Sequence, residues 1–166
     1  MERGPSSQVG LLSLRRAIAG DAPAIRDLTR RAYVKWAPVI GREPFPMTAD
    51  YDRAVREHLI DLLEDGGVLV ALIELIATQG YLTIENLAVD PIRQGAGLGA
   101  QLLQHAERLA VRMEYRELRL YTNAAFAANI AFYARRGFAE YSRAILSDGG
   151  TVVHMRKFVV PSAAGL

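Results

Sequence analysis

Leu87-Ala88-Val89-Asp90-Pro91-Ile92-Arg93-Gln94-Gly95-Ala96-Gly97-Leu98-Gly99-Ala100 is the stretch on which the fold turns. An apolar strand ends at a proline turn, and a glycine-rich loop then opens a helix. Glycine admits positive φ and lets a ligand approach the backbone closely, while the first amides of a helix lack internal partners and attract anions. The loop therefore reads as a phosphate cradle. The helix behind it is strongly amphipathic: Leu98, Leu102, Leu103, Ala106, Leu109, Ala110 and Met113 fall on one face, with Gln101, Gln104, His105, Arg108 and Arg112 opposite.

Upstream, the strand Tyr81–Val89 changes phase. Leu82 and Ile84 alternate with polar neighbours, whereas Leu87 and Val89 carry the alternation on at the opposite parity. One inserted residue, a β-bulge near Glu85-Asn86-Leu87, produces such a shift; a strand buried on both faces produces it too. Further out, Leu12–Ala17 reads as a strand and Asp21 as the cap of a helix to about Lys35, with Ile25, Leu28, Ala32 and Tyr33 on one face. A proline-rich loop follows, then a short helix over Asp50–Leu59. Ile60–Leu63 and Val68–Ala77 flank a Glu64-Asp65-Gly66-Gly67 turn. Downstream come a strand at Glu117–Thr122, a helix at Ala127–Arg136 stopped by Gly137, and a hairpin of Phe138–Ile145 with Thr151–Val159. The pattern is one mixed α/β domain over residues 11–160, with a disordered terminus at 1–10 and a flexible tail at 161–166.

The 166 residues, 51% hydrophobic and 23% charged, suit one soluble core, and a net charge of +2 without a basic tract gives no support for nucleic-acid binding. No cysteine is present, which excludes an acyl-cysteine route and fits a cytoplasmic location. The start lacks a signal-peptide pattern, and the longest apolar run, Val68–Ala77, is too short to span a bilayer as a helix. His58, His105 and His154 lack metal-ligand spacing, so no metal is expected.

Gly95-Ala96-Gly97-Leu98-Gly99-Ala100 satisfies the dinucleotide fingerprint, but the acid expected at the far end of the next strand is missing: Glu117 lies at its start and Tyr121-Thr122 at its end. No Lys-Ser/Thr closes the loop as in a nucleoside-triphosphate site. Val89-Asp90-Pro91, Gln94-Gly95-Ala96-Gly97-Leu98-Gly99 and, further on, Phe132-Tyr133-Ala134-Arg135-Arg136-Gly137-Phe138 together resemble the GNAT family of acetyl-CoA-dependent N-acetyltransferases, over roughly Leu12 to Phe158. The resemblance implies a single-domain GNAT fold: a mixed, mostly antiparallel central sheet of six to seven strands, flanked by about four helices and splayed at the bulge near Glu85 to Leu87.

It also implies roles. Amides of Gly95, Ala96, Gly97, Leu98, Gly99 and Ala100 would hold the pyrophosphate of coenzyme A, with Gln94 at the signature's first position. Backbone groups of Leu87, Ala88 and Val89 would pair with the pantetheine arm. Glu85 would be the general base for an amine that is protonated at neutral pH, the Leu87 N–H the donor to the oxyanion, and Tyr133 the acid for the leaving thiolate. Many family members place an asparagine seven residues before the tyrosine; here Phe126 stands there, and Asn129 or Asn123 could replace it, Asn123 equally serving as a helix cap. Tyr33, Trp36, Met47 and Tyr51 surround the proline-rich segment that walls the acceptor groove in the family. The implied activity is acetyl transfer from acetyl-CoA to a primary amine of a small molecule or peptide; a coenzyme-A-binding module without turnover is the alternative. Dimerisation is common in the family, and no dimer seam is legible.

Overall fold

A computed structural model describes residues 11–161. Seven strands form one sheet: β1 (Leu12–Arg16), β2 (Leu59–Asp65), β3 (Val68–Ala77), β4 (Leu82–Val89), β5 (Glu117–Asn123), β6 (Ala139–Ile145) and β7 (Thr151–Phe158), in the order β1-β2-β3-β4-β5-β7-β6. Every pairing is antiparallel except that of β4 with β5. Four helices have seven residues or more: α1 (Ala22–Tyr33), α4 (Tyr51–Glu57), α5 (Leu98–Arg112) and α6 (Ala127–Ala134). Between α1 and α4 lie two single turns, α2 (Ala37–Ile40) and α3 (Phe45–Thr48). The mixed α/β architecture expected from the sequence is thus present. The expectations for residues 1–10 and 162–166 lie outside the described residues.

Both faces of the central strands are covered, which is why β3 reads as a continuous apolar run. Leu72 faces Ile25 and Leu28 of α1 and Tyr51 and Ala54 of α4, whereas Ile73 and Leu75 face Leu102, Leu103 and Ala106 of α5. The α5 stripe is buried as its periodicity implies, except that Met113, at the C-terminal cap, is 39% exposed. Gly66 and Gly67, with φ of 57° and 84°, make the tight β2–β3 turn, because two successive positive φ values match the twist of a hairpin. Asp21 does not cap α1: its carboxylate accepts from Ile18 N–H and from the Arg15 guanidinium instead. Asp50 does cap α4, accepting from Arg53 N–H at 3.1 Å.

The parity change on β4 is a bulge. Glu74 pairs with Asn86 but the next residue, Leu75, pairs with Ile84, so Glu85 is the extra residue. Beyond it Leu87 and Val89 pack toward the α5 core and Ala88 toward the α1 core. The parallel contact with β5 covers only Leu82–Ile84 against Leu118–Leu120. Past that point β4 and β5 part, and the sheet is splayed where the bulge was expected.

Candidate active site

The backbone along the splay follows from strand geometry. Asp90 N–H bonds Val70 C=O at 2.9 Å, which makes that pair a hydrogen-bonded one. Bonded pairs alternate along an antiparallel ladder, so Ala88 and Asn86 turn their groups to β3, while Leu87 and Val89 turn theirs into the gap. Ala88 therefore cannot share in pairing with an extended arm, contrary to expectation; it is also 1% exposed. The Leu87 C=O accepts from the Tyr33 hydroxyl at 3.2 Å and the Val89 C=O from Gln94 Nε2 at 3.3 Å. The N–H groups of Leu87 and Val89 face the gap.

The glycine loop lies at the mouth of a cleft of about 460 Å³. Gly95 and Gly97 have φ of 87° and 82°, and a Cβ on either would meet nothing within 4 Å; positive φ is what these two positions require. Gly99 is needed for a different reason, since its Cβ would lie 3.2 Å from the Phe132 ring. The first intrahelical bond of α5 runs from Gln101 N–H to Gly97 C=O, so the amides of Leu98, Gly99 and Ala100 precede the ladder. Ala96 is the exception within the loop: its N–H folds back to Arg93 C=O at 3.4 Å, and it does not line the cleft. Gln94 binds Val89 C=O and accepts from Lys35 at 3.0 Å. Lys35, Arg93, Arg135 and Arg136 line the cleft with no carboxylate among its described walls, a basic collar that their scatter through the sequence concealed; Arg93 is also paired with Asp65, which lies outside the lining. An anionic phosphate fits this cradle.

Tyr33, Leu87, Asn129 and Tyr133 line both that cleft and a smaller cavity of about 70 Å³, which Glu85 also lines. Glu85 and Leu87 of β4 thus converge with Asn129 and Tyr133 of α6, more than forty residues on. Glu85 accepts from the Tyr121 hydroxyl at 2.7 Å. Tyr133 packs edge-on against Phe132 and Phe138, with centroids at 5.2 and 5.7 Å, and its hydroxyl has no hydrogen-bond partner among the described residues. Burial pushes that hydroxyl well above the usual 10. The same cause raises Tyr33 and Tyr121. Asn123 accepts from Ala125 N–H at 2.9 Å in a turn that precedes α6, but it does not cap that helix, whose N-cap is Phe126 with no side-chain cap; Asn123 lines the small cavity.

The expected acceptor wall is only partly right. Tyr33 stands at the junction of the two cavities. Trp36 instead lines the basic cleft, stacked 4.5 Å from Phe126. Met47 is 4% and Tyr51 0% exposed, and neither lines the small cavity: the Tyr51 hydroxyl donates to Pro46 C=O at 2.6 Å, and Tyr51 lines a neighbouring cavity beside α4. The small cavity is lined instead by Ile40, Arg42, Phe45, Pro46 and Tyr121. Gly41, with φ of 73° after α2, turns this loop over the sheet, and Arg42 fixes it by bonding Asp148 at 2.6 Å and stacking 4.4 Å from the Phe45 ring. Gly41 and the following prolines were the only sequence signal for this wall.

Residues 22–138 match the model of the acetyltransferase (GNAT) family. A search of curated proteins gives no match by sequence. Among solved structures of like fold is the ribosomal-protein-S18-alanine N-acetyltransferase of Escherichia coli, 23% identical, with a TM-score of 0.71 over 94% of this chain and 99% of that one. The PaiA N-acetyltransferase of Thermoplasma acidophilum, solved with coenzyme A, is 17% identical with a TM-score of 0.74 over 89% and 99%. A GNAT acetyltransferase of Elizabethkingia anophelis with acetyl-CoA bound is 16% identical with a TM-score of 0.68 over 89% and 98%. At these identities the likeness is one of fold.

Proposed function

The chain belongs to the GNAT acetyltransferase family, and from that premise we propose that it moves an acetyl group directly from acetyl-CoA to a primary amine of a small molecule or peptide. The observation that carries this reading is the convergence of Glu85, Leu87 and Tyr133 on one small cavity that opens into the basic cleft of the glycine loop. The amides of Gly95 and Gly97–Ala100, with the collar of Lys35, Arg93, Arg135 and Arg136, would hold the phosphates, and Leu87 and Val89 would pair with the pantetheine arm. Bound acetyl-CoA supplies an acyl group activated as a thioester.

Glu85 takes a proton from the ammonium form of the acceptor, whose pKa of about 10.4 leaves it charged at neutral pH. As the C–N bond forms, the Leu87 N–H donates to the oxygen on which negative charge develops, a group fixed in place by the bulge before the reaction begins. As the C–S bond breaks, Tyr133 faces the departing sulfur. Its raised hydroxyl is a weaker acid than a thiol of pKa about 8.5, so it acts chiefly by donating a hydrogen bond to sulfur, with the second amine proton restoring any that it gives up. One proton leaves to solvent for each amide formed. Asn129 lines both cavities and would orient the arm where they meet.

A thiol-release assay with acetyl-CoA and a panel of amines and peptides tests the proposal. Turnover on an amine, with the product N-acetylated by mass spectrometry, supports it. Binding of coenzyme A by calorimetry with no turnover on any acceptor points to the binding module instead.

A further inference from the structure

Past Phe45, Pro46, Glu85 and Asn86, which it shares with the small cavity, a second cavity of about 360 Å³ opens between α3, α4 and the sheet. Four carboxylates line it, Asp50, Glu57, Glu74 and Glu85, against the guanidinium of Arg53 and the imidazole of His58. Arg53 is already held by Glu57 at 2.7 Å, and His58 Nδ1 lies 2.6 Å from Glu74 Oε1. Glu74 is 3% exposed, and burial lifts its carboxyl above the ordinary 4.5 even beside His58, as happens to a carboxylate short of positive charge.

An independent observation concerns Asn86, which is 2% exposed. The Tyr51 hydroxyl donates its hydrogen to Pro46 C=O and so can only accept from Asn86 Nδ2, at 3.2 Å. Asn86 Nδ2 also donates to Thr29 Oγ1, at 3.1 Å. These contacts fix the amide's orientation, and Oδ1 is left buried without a donor among the described residues. An unpaired buried carbonyl is costly, and Asn86 lies in the walls of both cavities.

We propose that the second cavity receives a distal cationic nitrogen of the acceptor, so that the amine acetylated at Glu85 is a diamine or polyamine whose far ammonium is bound by Asn86 Oδ1 and the Glu74 carboxylate. The inference rests on the amine-acetylation reading above. An ammonium carries only donors and needs such acceptors, and the apolar Phe45 and Pro46 between the cavities suit a methylene stem. An acceptor bearing its own carboxylate would meet like charge there. Among the described residues no three His, Asp or Glu side chains converge as a metal-ligand set.

The test compares α,ω-diaminoalkanes of three to eight carbons with n-alkylamines of equal length, in the thiol-release assay with acetyl-CoA. In the unmodified protein kcat/KM for the best diamine should exceed that for its matched monoamine by at least about 10-fold, the size of a hydrogen bond to a charged group. The ratio should fall at least about 10-fold in Glu74→Gln and by less in Glu57→Lys, an exposed position whose substitution leaves the core intact. Equal use of diamines and monoamines, or a preference that both variants preserve, overturns this inference and leaves amine acetylation standing. Turnover of neither class but of another amine or peptide overturns this inference alone, and turnover of no acceptor at all, with coenzyme A bound, overturns both.

Discussion

Replacing Glu85 by Gln removes the base while keeping an oxygen for the Tyr121 hydroxyl, which now donates to Glu85 at 2.7 Å. The fold should survive: a charge-assisted hydrogen bond becomes a neutral one, a change of about 1 kcal/mol. Activity should not. At pH 7 an amine of pKa about 10.4 is deprotonated in roughly one molecule in 2,500, and a positioned base contributes about 10²–10⁴ in rate. The variant should therefore lose about 100- to 1,000-fold in kcat/KM at pH 7. Because it must wait for free amine from solution, its rate should climb about tenfold per pH unit up to pH 9, while the unmodified protein changes far less. The assay is thiol release from pH 6.5 to 9.5 at saturating acetyl-CoA, with unfolding by circular dichroism as control. A variant within about threefold of the parent at pH 7, or a deficit that does not shrink as pH rises, refutes Glu85 as base.

Tyr133→Phe keeps the ring contacts with Phe132 and Phe138, so Tm should move little while kcat falls about 10- to 100-fold, the size of one hydrogen bond to a charged sulfur; kcat unchanged at every pH removes the tyrosine from the mechanism. Gly97→Ala forces an L residue to φ of 82°, which costs about 1–2 kcal/mol, or roughly 2–8 °C in Tm, and calorimetry should show weaker coenzyme A binding. Unaltered stability and affinity would mean that the loop does not require that conformation. Glu74→Gln tests the buried carboxyl: its folded value lies above the unfolded 4.5, so the stability it contributes is complete below about pH 4.5 and is lost as pH rises through the folded value. The variant escapes that loss, and its advantage in Tm should be near zero at pH 4 and grow as pH rises; a gap constant with pH contradicts the assignment.

The donor side of the site was legible because it is built from neighbours in the chain. Leu82 and Ile84 against Leu87 and Val89 showed a phase change that fits an inserted residue or a strand buried on both faces, and the pairing of β4 with β3 decides for the bulge. Gly95 and Gly97 announced positive φ by having no side chain. The acceptor side is assembled by tertiary packing, and there one-dimensional proximity misled. Tyr51 and Met47 lie beside the proline-rich segment yet do not line the small cavity, while Arg42 and Phe45, a few residues away, line it once Gly41 reverses the loop. Ala88 was grouped with Leu87 and Val89 by adjacency, but the ladder's alternation sends its N–H and C=O to the other side. The basic collar has no signature in one dimension, because Lys35, Arg93, Arg135 and Arg136 are united only by the fold.

The three-residue parallel contact between β4 and β5 has a consequence for how long the molecule lasts. Among the described residues it is the only strand pairing that joins β1–β4 to β5–β7, so the sheet is divided into two parts along a line where few backbone bonds must break. A donor lying in that line would add pairing that the polypeptide lacks, and a ligand at about 100 times its Kd stabilises the folded form by about 2.7 kcal/mol. Starved of its donor, the protein should open first along this line, with earlier amide exchange in β5 and faster cleavage by proteases. Supply of the donor would then set the protein's lifetime as well as its rate.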